Sequence, residues 1–452
     1  MPQNRIYLCL AHMSEAGLEQ KYIKDAFDTN WVVPLGPNVN GFEKDLESFV
    51  NEIAGHSSAS SPTARDDASL DKRVVALSAG TAAVHLALIA CGVKPGDEVC
   101  VQSFTFCASS HPITYLGATP VFIDSEKDTW NMDPDLLEAA IKDRIAKTGK
   151  KPKAIVPVAL YGMPYDVDRI MEIANRYDIP VIEDAAEGFG SRWKGQVLGT
   201  FGKYGVLSFN GNKMITTSGG GALVTANEEE WREIMMYATQ YRESYPYYQH
   251  EKIGFNYRMS NICAGIGRGQ MTVANDHIAH HKHVQKMYEE LLADVPGIHV
   301  HAQPFESSEL RVESLESVET VESNKYDSNY WLCTITLDPD LKIKGQENAY
   351  KTVVQGAVGG AAGVVHASDS AHTDCEPNAN VEALRVILDQ AGIEARPLWK
   401  PMHKQPVYKD APAYVNGVSE ALFKVGMCLP SGPYVSDEDV RYIVNCIKEA
   451  IL

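Results

Sequence analysis

Residues 74–93 read VVALSAGTAAVHLALIACGV, and the fold turns on how this stretch is taken. Its length and apolar content suit a helix crossing a bilayer, yet Ser78, Gly80, Thr81 and His85 lie within it. Polar groups at membrane depth find no partner in lipid. A β-branched start (VVALS, 74–78), a small-residue turn and an apolar helix explain the same residues as a strand–loop–helix unit. Nothing else in the chain reads as a span, so no membrane partner is expected.

Outward from this unit, the alternation repeats. Further strands are expected at EVCVQS (98–103), PVFID (120–124), AIVPV (154–158), PVIED (180–184), VLSFN (206–210) and ALVT (222–225). Amphipathic stretches such as Pro134–Lys147 and Asp166–Tyr177 lie between them. The pattern predicts an α/β fold with a largely parallel sheet covered on both faces. Ligands of such sheets sit outside the carboxyl ends of the strands, which is where the chemistry is to be sought.

Past Met271 the pattern changes to a long helix, the strand-like WLCTITL (331–337), a helix around Glu382–Ala391 and a Pro-rich segment. We expect a large domain over 1–271, with the N-terminal segment included, and a smaller α+β domain over 272–452. Gly55–Asp71, Glu306–Ser323 and Gly356–His372 read as surface insertions, expected to be mobile loops because their composition buries little apolar area.

The chain has 452 residues, 44% of them hydrophobic, enough for a large core. Its 41 basic and 59 acidic residues leave a net charge of −18, which argues against nucleic-acid binding. Nine scattered cysteines without a CxxC pair point to reduced thiols, and MPQNRIYLCLAH lacks a signal-peptide pattern. A cytoplasmic protein without a metal site is expected. His277, His280, His281 and His283 read as an exposed polar helix face.

Three strand-end motifs carry chemistry. Ser78-Ala79-Gly80-Thr81-Ala82-Ala83 follows a strand and opens a helix, whose free N–H groups and dipole attract an anion such as phosphate. Alone, it reads rather as a small-residue turn capped by Thr81. Asp184 closes the apolar PVIED strand and needs a cation if buried; alone, it also reads as a helix cap. Lys213 in SFNGNK (208–213) follows a strand, where loss of solvation makes an amine nucleophilic; alone, it is an ordinary exposed lysine. Together the three place an anion site, a carboxylate and an amine at one sheet edge. Pyridoxal 5′-phosphate needs those three groups, for its phosphate, ring nitrogen and aldehyde.

The chain resembles the DegT/DnrJ/EryC1/StrS family of nucleotide-sugar aminotransferases. The likeness runs from WVVPLGPNVNGFE (31–43) through SAGTAAVHLAL, SFTFCASSHPI, EDAAEGFGS, LSFNGNKMITTSGGG and GFNYRMSNICAGIG to RPLWKPMHKQPVY (396–408) and CLPSG (428–432). It implies the fold type I architecture of pyridoxal-phosphate enzymes, with a mostly parallel seven-stranded sheet. Lys213 matches the Schiff-base lysine and Asp184 the partner of the ring nitrogen. Thr81 and Ser208 match phosphate contacts, with Gly80 and Ala82 in the same turn. Phe106 falls where the family stacks an aromatic ring on the cofactor. Glu187 stands where many members carry His or Gln near the phenolic oxygen. It is expected to be protonated or turned away.

Asn256 matches a residue reaching the neighbouring subunit's cofactor, which implies a homodimer with shared active sites. Trp31, Gly36 and Pro37 match regions lining the sugar-nucleotide pocket, as does the WKPMH segment with Trp399, Lys400, Met402 and His403. Arg396 reads either as a surface charge or as a carboxylate anchor for the amino donor. The implied reaction takes the amino group of L-glutamate, with pyridoxamine phosphate as intermediate, to the C4 ketone of a nucleotide-linked 4-keto-6-deoxy sugar. A UDP-linked N-acetylglucosamine derivative on a bacillosamine-type route to surface glycans comes first. GDP-perosamine-type, dTDP-sugar or 3-keto-sugar transamination, or a non-catalytic sugar-nucleotide-binding relative, stay as alternatives.

Overall fold

Runs of valine, isoleucine and alanine bounded by turns form the centre of the molecule. The computed structural model describes residues 5–52, 71–313, 318–349 and 375–452. Its main strands are β1 (Arg73–Leu77), β2 (Glu98–Gln102), β3 (Thr119–Ile123), β4 (Ala154–Val156), β5 (Ile182–Asp184), β6 (Tyr204–Ser208) and β7 (Gly221–Thr225). They lie in the order β1-β7-β6-β5-β4-β2-β3, the two halves joined by the parallel bridges Ile155↔Val181 and Val158↔Asp184. Strand β7 runs antiparallel to β1 and β6, while the β5–β6, β2–β3 and β2–β4 pairs are parallel.

Both faces of this sheet are covered, which is why its strands are apolar throughout. On one face Val75, Leu77, Val101 and Val206 pack with helix α1 (Gly80–Ala90). On the other, Ala76, Cys100, Ile155 and Val224 meet the helices Pro37–Val50, Pro134–Thr148 and Val167–Tyr177. The expected α/β architecture with a mostly parallel seven-stranded sheet is the one found.

A second core surrounds an antiparallel sheet of Ile298–Val300, Cys333–Leu337, Gly426–Leu429 and Arg396–Pro397. Helices Ala274–Leu292, Ala379–Gln390 and Asp437–Ala450 bury Tyr288, Leu384 and Ile443 against it. The first described residues join this region: Ile6 bridges Ile393, and Ser431 N donates to Leu8 O.

Two expectations need correction. Within Glu306–Ser323, expected to be a mobile loop, Ser307–Glu313 and Val318–Asn324 pair as an antiparallel hairpin in unbroken register. The Val/Leu-Glu-Ser triplets conceal a two-residue alternation, Glu309-Leu310-Arg311-Val312-Glu313, which is a strand period. The histidine face is also not exposed: His277 and His281 are buried, with ring nitrogens on Met214 O and Tyr330 O. They share the inward face of their helix with Val284 and Tyr288, at spacings of three and four residues. The other two insertions, Gly55–Asp71 but for its last residue and Gly356–His372, lie outside the described residues. Among the described residues no disulfide joins the cysteines, and no helix is long and apolar enough to cross a membrane.

Candidate active site

A cavity of about 380 Å³ opens at the carboxyl ends of β1, β2, β5 and β6, a size within the roughly 300–1,000 Å³ of small-molecule sites. Helix α1 begins at its edge. Ala79 is the N-cap in extended conformation and offers no side-chain cap, so the first helical N–H groups face the cavity without a helical acceptor. Thr81 is thus inside the helix and not its cap. Close packing shapes this turn: a Cβ on Gly221 would lie 2.4 Å from Gly80 N, and one on Gly80 would lie 3.1 Å from Ser208 Cβ. The helix start therefore rests on the ends of β6 and β7, with the buried Ser208 beside it.

Asp184 ends β5 and is only 5% exposed. Its Oδ2 accepts a bond from Ser109 Oγ at 2.6 Å and its Oδ1 one from Ala186 N at 3.1 Å. Burial raises the carboxyl above its ordinary value, opposed by these two donors and by the charge of Lys213. No helix follows, so the capping reading of Asp184 does not apply. The geometry is that of a buried carboxylate waiting for a cation.

Lys213 enters the same cavity from the turn after β6. Its Nζ is 3.5 Å from Glu187 Oε1 and 3.9 Å from the centroid of the Trp331 ring. Glu187 is buried, and its Oε2 accepts the Tyr161 N–H at 2.7 Å. Burial pushes this carboxyl up as well, opposed first by Lys213. Glu187 thus points toward the amine and is not turned away.

Phe106 stands at the mouth, half exposed, with its ring 5.4 Å from that of Trp399. Trp399 also lines the cavity; its backbone N–H donates to the Tyr161 hydroxyl, and its indole N–H is buried without a protein partner among the described residues.

The structure therefore gathers Gly80, Thr81, Phe106, Asp184, Glu187, Ser208, Lys213 and Trp399 around one space. The other sequence-derived candidates lie elsewhere in the single chain. Ala82 is buried in the first turn of α1. Asn256 is exposed and bridges Thr239. Trp31 and Pro37 are exposed, and Gly36 caps the helix Pro37–Val50 beside Asn261. Arg396 lies against Glu394, with its guanidinium 2.6 Å from the carboxylate. Lys400 follows Trp399 outside the cavity lining, and Met402 is buried with its N–H on Ser103 O. His403 is held between Ser103 Oγ at 2.6 Å and Glu420 Oε1 at 3.2 Å, its side chain only 7% exposed.

Sequence reasoning missed Trp331, Tyr161 and Ser109. Trp331 was taken as the first residue of a strand, and nothing local marks its reach across to Lys213. Tyr161 has φ +54°, a backbone strain that no residue type announces, although Gly162 follows it. Ser109 lay inside the recognised segment 103–113, and its role needed the fold.

The arrangement suits a flat ring with an anionic group at the α1 terminus, a protonated nitrogen on Asp184 and a carbonyl within reach of Lys213. Comparison with known proteins points the same way. The model of the DegT/DnrJ/EryC1/StrS aminotransferase family matches residues 67–329 and 351–448. EpsN of Bacillus subtilis (strain 168), whose name describes a pyridoxal phosphate-dependent aminotransferase, is 38% identical over 447 residues, 98% of this chain and 95% of that one. GDP-perosamine synthase of Escherichia coli O157:H7 is 31% identical over 443 residues, 98% of either chain. The crystal structure of a DegT DnrJ EryC1 StrS aminotransferase from Brucella abortus superposes with TM-score 0.74 at 25% identity, over 96% of this chain and 95% of that one. The chain belongs to the DegT/DnrJ/EryC1/StrS aminotransferase family.

Proposed function

We propose that the protein is a pyridoxal-phosphate-dependent sugar aminotransferase that moves the amino group of L-glutamate to the C4 ketone of a nucleotide-linked 4-keto-6-deoxy sugar. The observation that carries this reading is the convergence of Lys213 and Asp184 on one cavity that opens at the uncapped start of α1.

The donor set fits the cofactor. The α1 N–H groups, with the Thr81 and Ser208 hydroxyls, would hold the phosphate. Asp184, buried and in no ion pair among the described residues, would hold the ring nitrogen, and Phe106 would cover a ring face. When bound, pyridoxal phosphate supplies an aldehyde that captures an amine and a ring that spreads the negative charge left by proton loss.

The remaining chemistry belongs to the chain. Asp184 would keep a proton on the ring nitrogen, its carboxylate favoured there by the ring's charge, Ser109 and the Ala186 N–H against the burial that opposes it. Lys213 Nζ removes the proton from Cα of glutamate and later delivers one to C4 of the sugar, as base and then acid. Glu187 balances the charge of that amine. The balance is L-glutamate plus keto sugar giving 2-oxoglutarate plus amino sugar.

For the nucleotide, a UDP-linked 4-keto-6-deoxy-N-acetylglucosamine is our first choice, from the LGPNV, SFNGNK and WKPMH segments. A GDP-linked sugar is the second, favoured by the near full-length likeness to GDP-perosamine synthase. We also infer a homodimer that shares its sites. Trp31, Val32, Val33 and Leu35 form an apolar strip, each at least 39% exposed, and Tyr247, Tyr248 and Ile253 are more exposed still. Such patches mark interfaces. Incubating the protein with glutamate and each UDP-, GDP- or dTDP-linked keto sugar tests the reading by product mass. No amino sugar from any of them would overturn it.

A further inference from the structure

The segment that leads into the strand Cys333–Leu337 of the second core sends one residue into the site that the reaction scheme does not use. Trp331 is 2% exposed and precedes the strand Cys333–Leu337, yet its ring faces Lys213 Nζ at 3.9 Å. It is fixed from several directions. Its indole N–H donates to Asn212 O at 2.7 Å, the carbonyl just before Lys213. Its backbone N–H donates to Asn329 Oδ1, and its carbonyl accepts from Ser431 Oγ, both at 2.8 Å.

The opposite side of the amine is built from the same segment. Asn329 Nδ2 donates to the carbonyls of Glu187 and Phe189 at 2.9 Å, which holds the Glu187 loop. The Tyr161 N–H then aims the Glu187 carboxylate at Lys213. The approach is tight: a Cβ on Gly162 would meet Asn329 Oδ1 at 1.9 Å. Segment 328–331 thus fixes both the aromatic face and the carboxylate that flank one ammonium.

We propose that Trp331 is a positioning residue, which with Glu187 gives the free Lys213 amine a defined resting place beside the cavity. A lysine stem has many rotamers, and an amine that must leave one bond and then move a proton loses rate when it is free to wander. An ammonium over an indole face is attracted by the ring's quadrupole, more so when water is excluded. The indole bond to Asn212 keeps that face registered with the lysine's own backbone. The proposal rests on the aminotransferase reading for the lysine's task, and its geometry stands without it.

The test uses the full-length protein freed of cofactor, with its lysines reductively methylated with carbon-13. The methyl signal of Lys213, identified by its loss in Lys213→Arg, is expected well upfield of exposed lysines because it lies under the Trp331 ring. Trp331→Phe keeps a smaller displacement, and Trp331→Leu brings the signal to the exposed position. In the loaded enzyme Trp331→Leu lowers kcat by at least about tenfold with the glutamate KM within about twofold, whereas Trp331→Phe stays within about threefold of wild type. A Lys213 signal undisplaced in the wild type overturns the proposal. So does an equal loss of kcat in Phe and Leu variants, which would assign Trp331 only the bond to Asn212. If Trp331→Leu fails to fold, the wild-type signal and the Phe variant still decide. A protein that takes no cofactor but shows the displaced signal would sink the aminotransferase reading and leave the resting place intact.

Discussion

Ser109 Oγ donates a 2.6 Å hydrogen bond to Asp184 Oδ2, so the buried carboxylate at the end of β5 is oriented by a residue from the loop after β2. The serine lies 1% exposed, and its own hydroxyl is 2.8 Å from Thr105 Oγ1. The segments after β2 and β5, two strands with β4 between them, therefore share one polar chain, which fixes where a cation can be met.

Replacement of that carboxylate separates folding from function. Burial raises the Asp184 carboxyl despite Ser109, the Ala186 N–H and Lys213. A carboxyl raised in the folded state stabilises the fold at low pH, and this contribution is lost as pH climbs through the raised value. At neutral pH the cofactor-free wild type should thus be no more stable than Asp184→Asn, and below the ordinary carboxyl range the wild type's deficit disappears. The same variant should bind pyridoxal phosphate at least about tenfold more weakly. Thermal melts across pH and a binding titration check both, and undiminished affinity would remove Asp184 from its role.

Lys213→Ala should lower transamination by at least about a thousandfold, the upper part of what positioned acid–base groups supply. Borohydride treatment of the loaded wild type should leave cofactor mass on the peptide containing Lys213. The alanine variant should carry none, and cofactor mass on another lysine would redirect the assignment.

At the start of α1 the constraint is steric. Gly221→Ala places a methyl 2.4 Å from Gly80 N, against backbone that has no room to yield. The expected cost is about 1–3 kcal/mol of stability, together with weaker binding of pyridoxal phosphate as the helix terminus shifts. Denaturant melts and the same titration measure these. Full stability in this variant would mean the turn is looser than its packing shows.

His403 serves as a latch. It joins Ser103 at the end of β2 to Glu420 of the helix Val418–Val425. His403→Ala removes both side-chain bonds but leaves Ser103 Oγ the N–H of residue 403 and Glu420 its ion pair with Lys404, so the expected cost is about 0.5–1.5 kcal/mol. It should also raise KM for the sugar nucleotide more than for glutamate, because the segment that carries Trp399 is then fixed at Tyr161 but less firmly four residues on, and His403→Gln should recover part of the loss. An unchanged sugar KM in the alanine variant would confine the latch to stability.

What could be read from the residues divides along physical lines. Strand ends are legible because β-branched runs and strand–helix alternation are local, and the rule that ligands gather at carboxyl ends then selects Asp184 and Lys213. The helix start at Gly80 was legible for the same reason. The Glu187–Lys213 contact was not, because the direction of a side chain depends on Tyr161 and its φ of +54°. Trp331 was hidden because its contact with Lys213 joins segments far apart in the chain, the tryptophan packing into the first core just ahead of a strand of the second. His403 was misleading: the WKPMH segment reaches the rim, but among its side chains the cavity meets Trp399 while the histidine turns to Ser103. The pairing of 307–313 with 318–324 was hidden because the composition of this segment points to a loop, while its two-residue alternation is that of a strand.

The bridge between Ile6 and Ile393 has a bearing on how the molecule is made. The residues that follow it lead to Cys9, buried close enough to Lys213 to sense its charge. Synthesis releases residue 6 long before its partner at 393, so the earlier of the two waits, unpaired, while everything between them is made. Contacts so distant in sequence form slowly. The pairing that seats the segment leading to Cys9 is thus completed late, which leaves a part-made chain without the surroundings of a finished site.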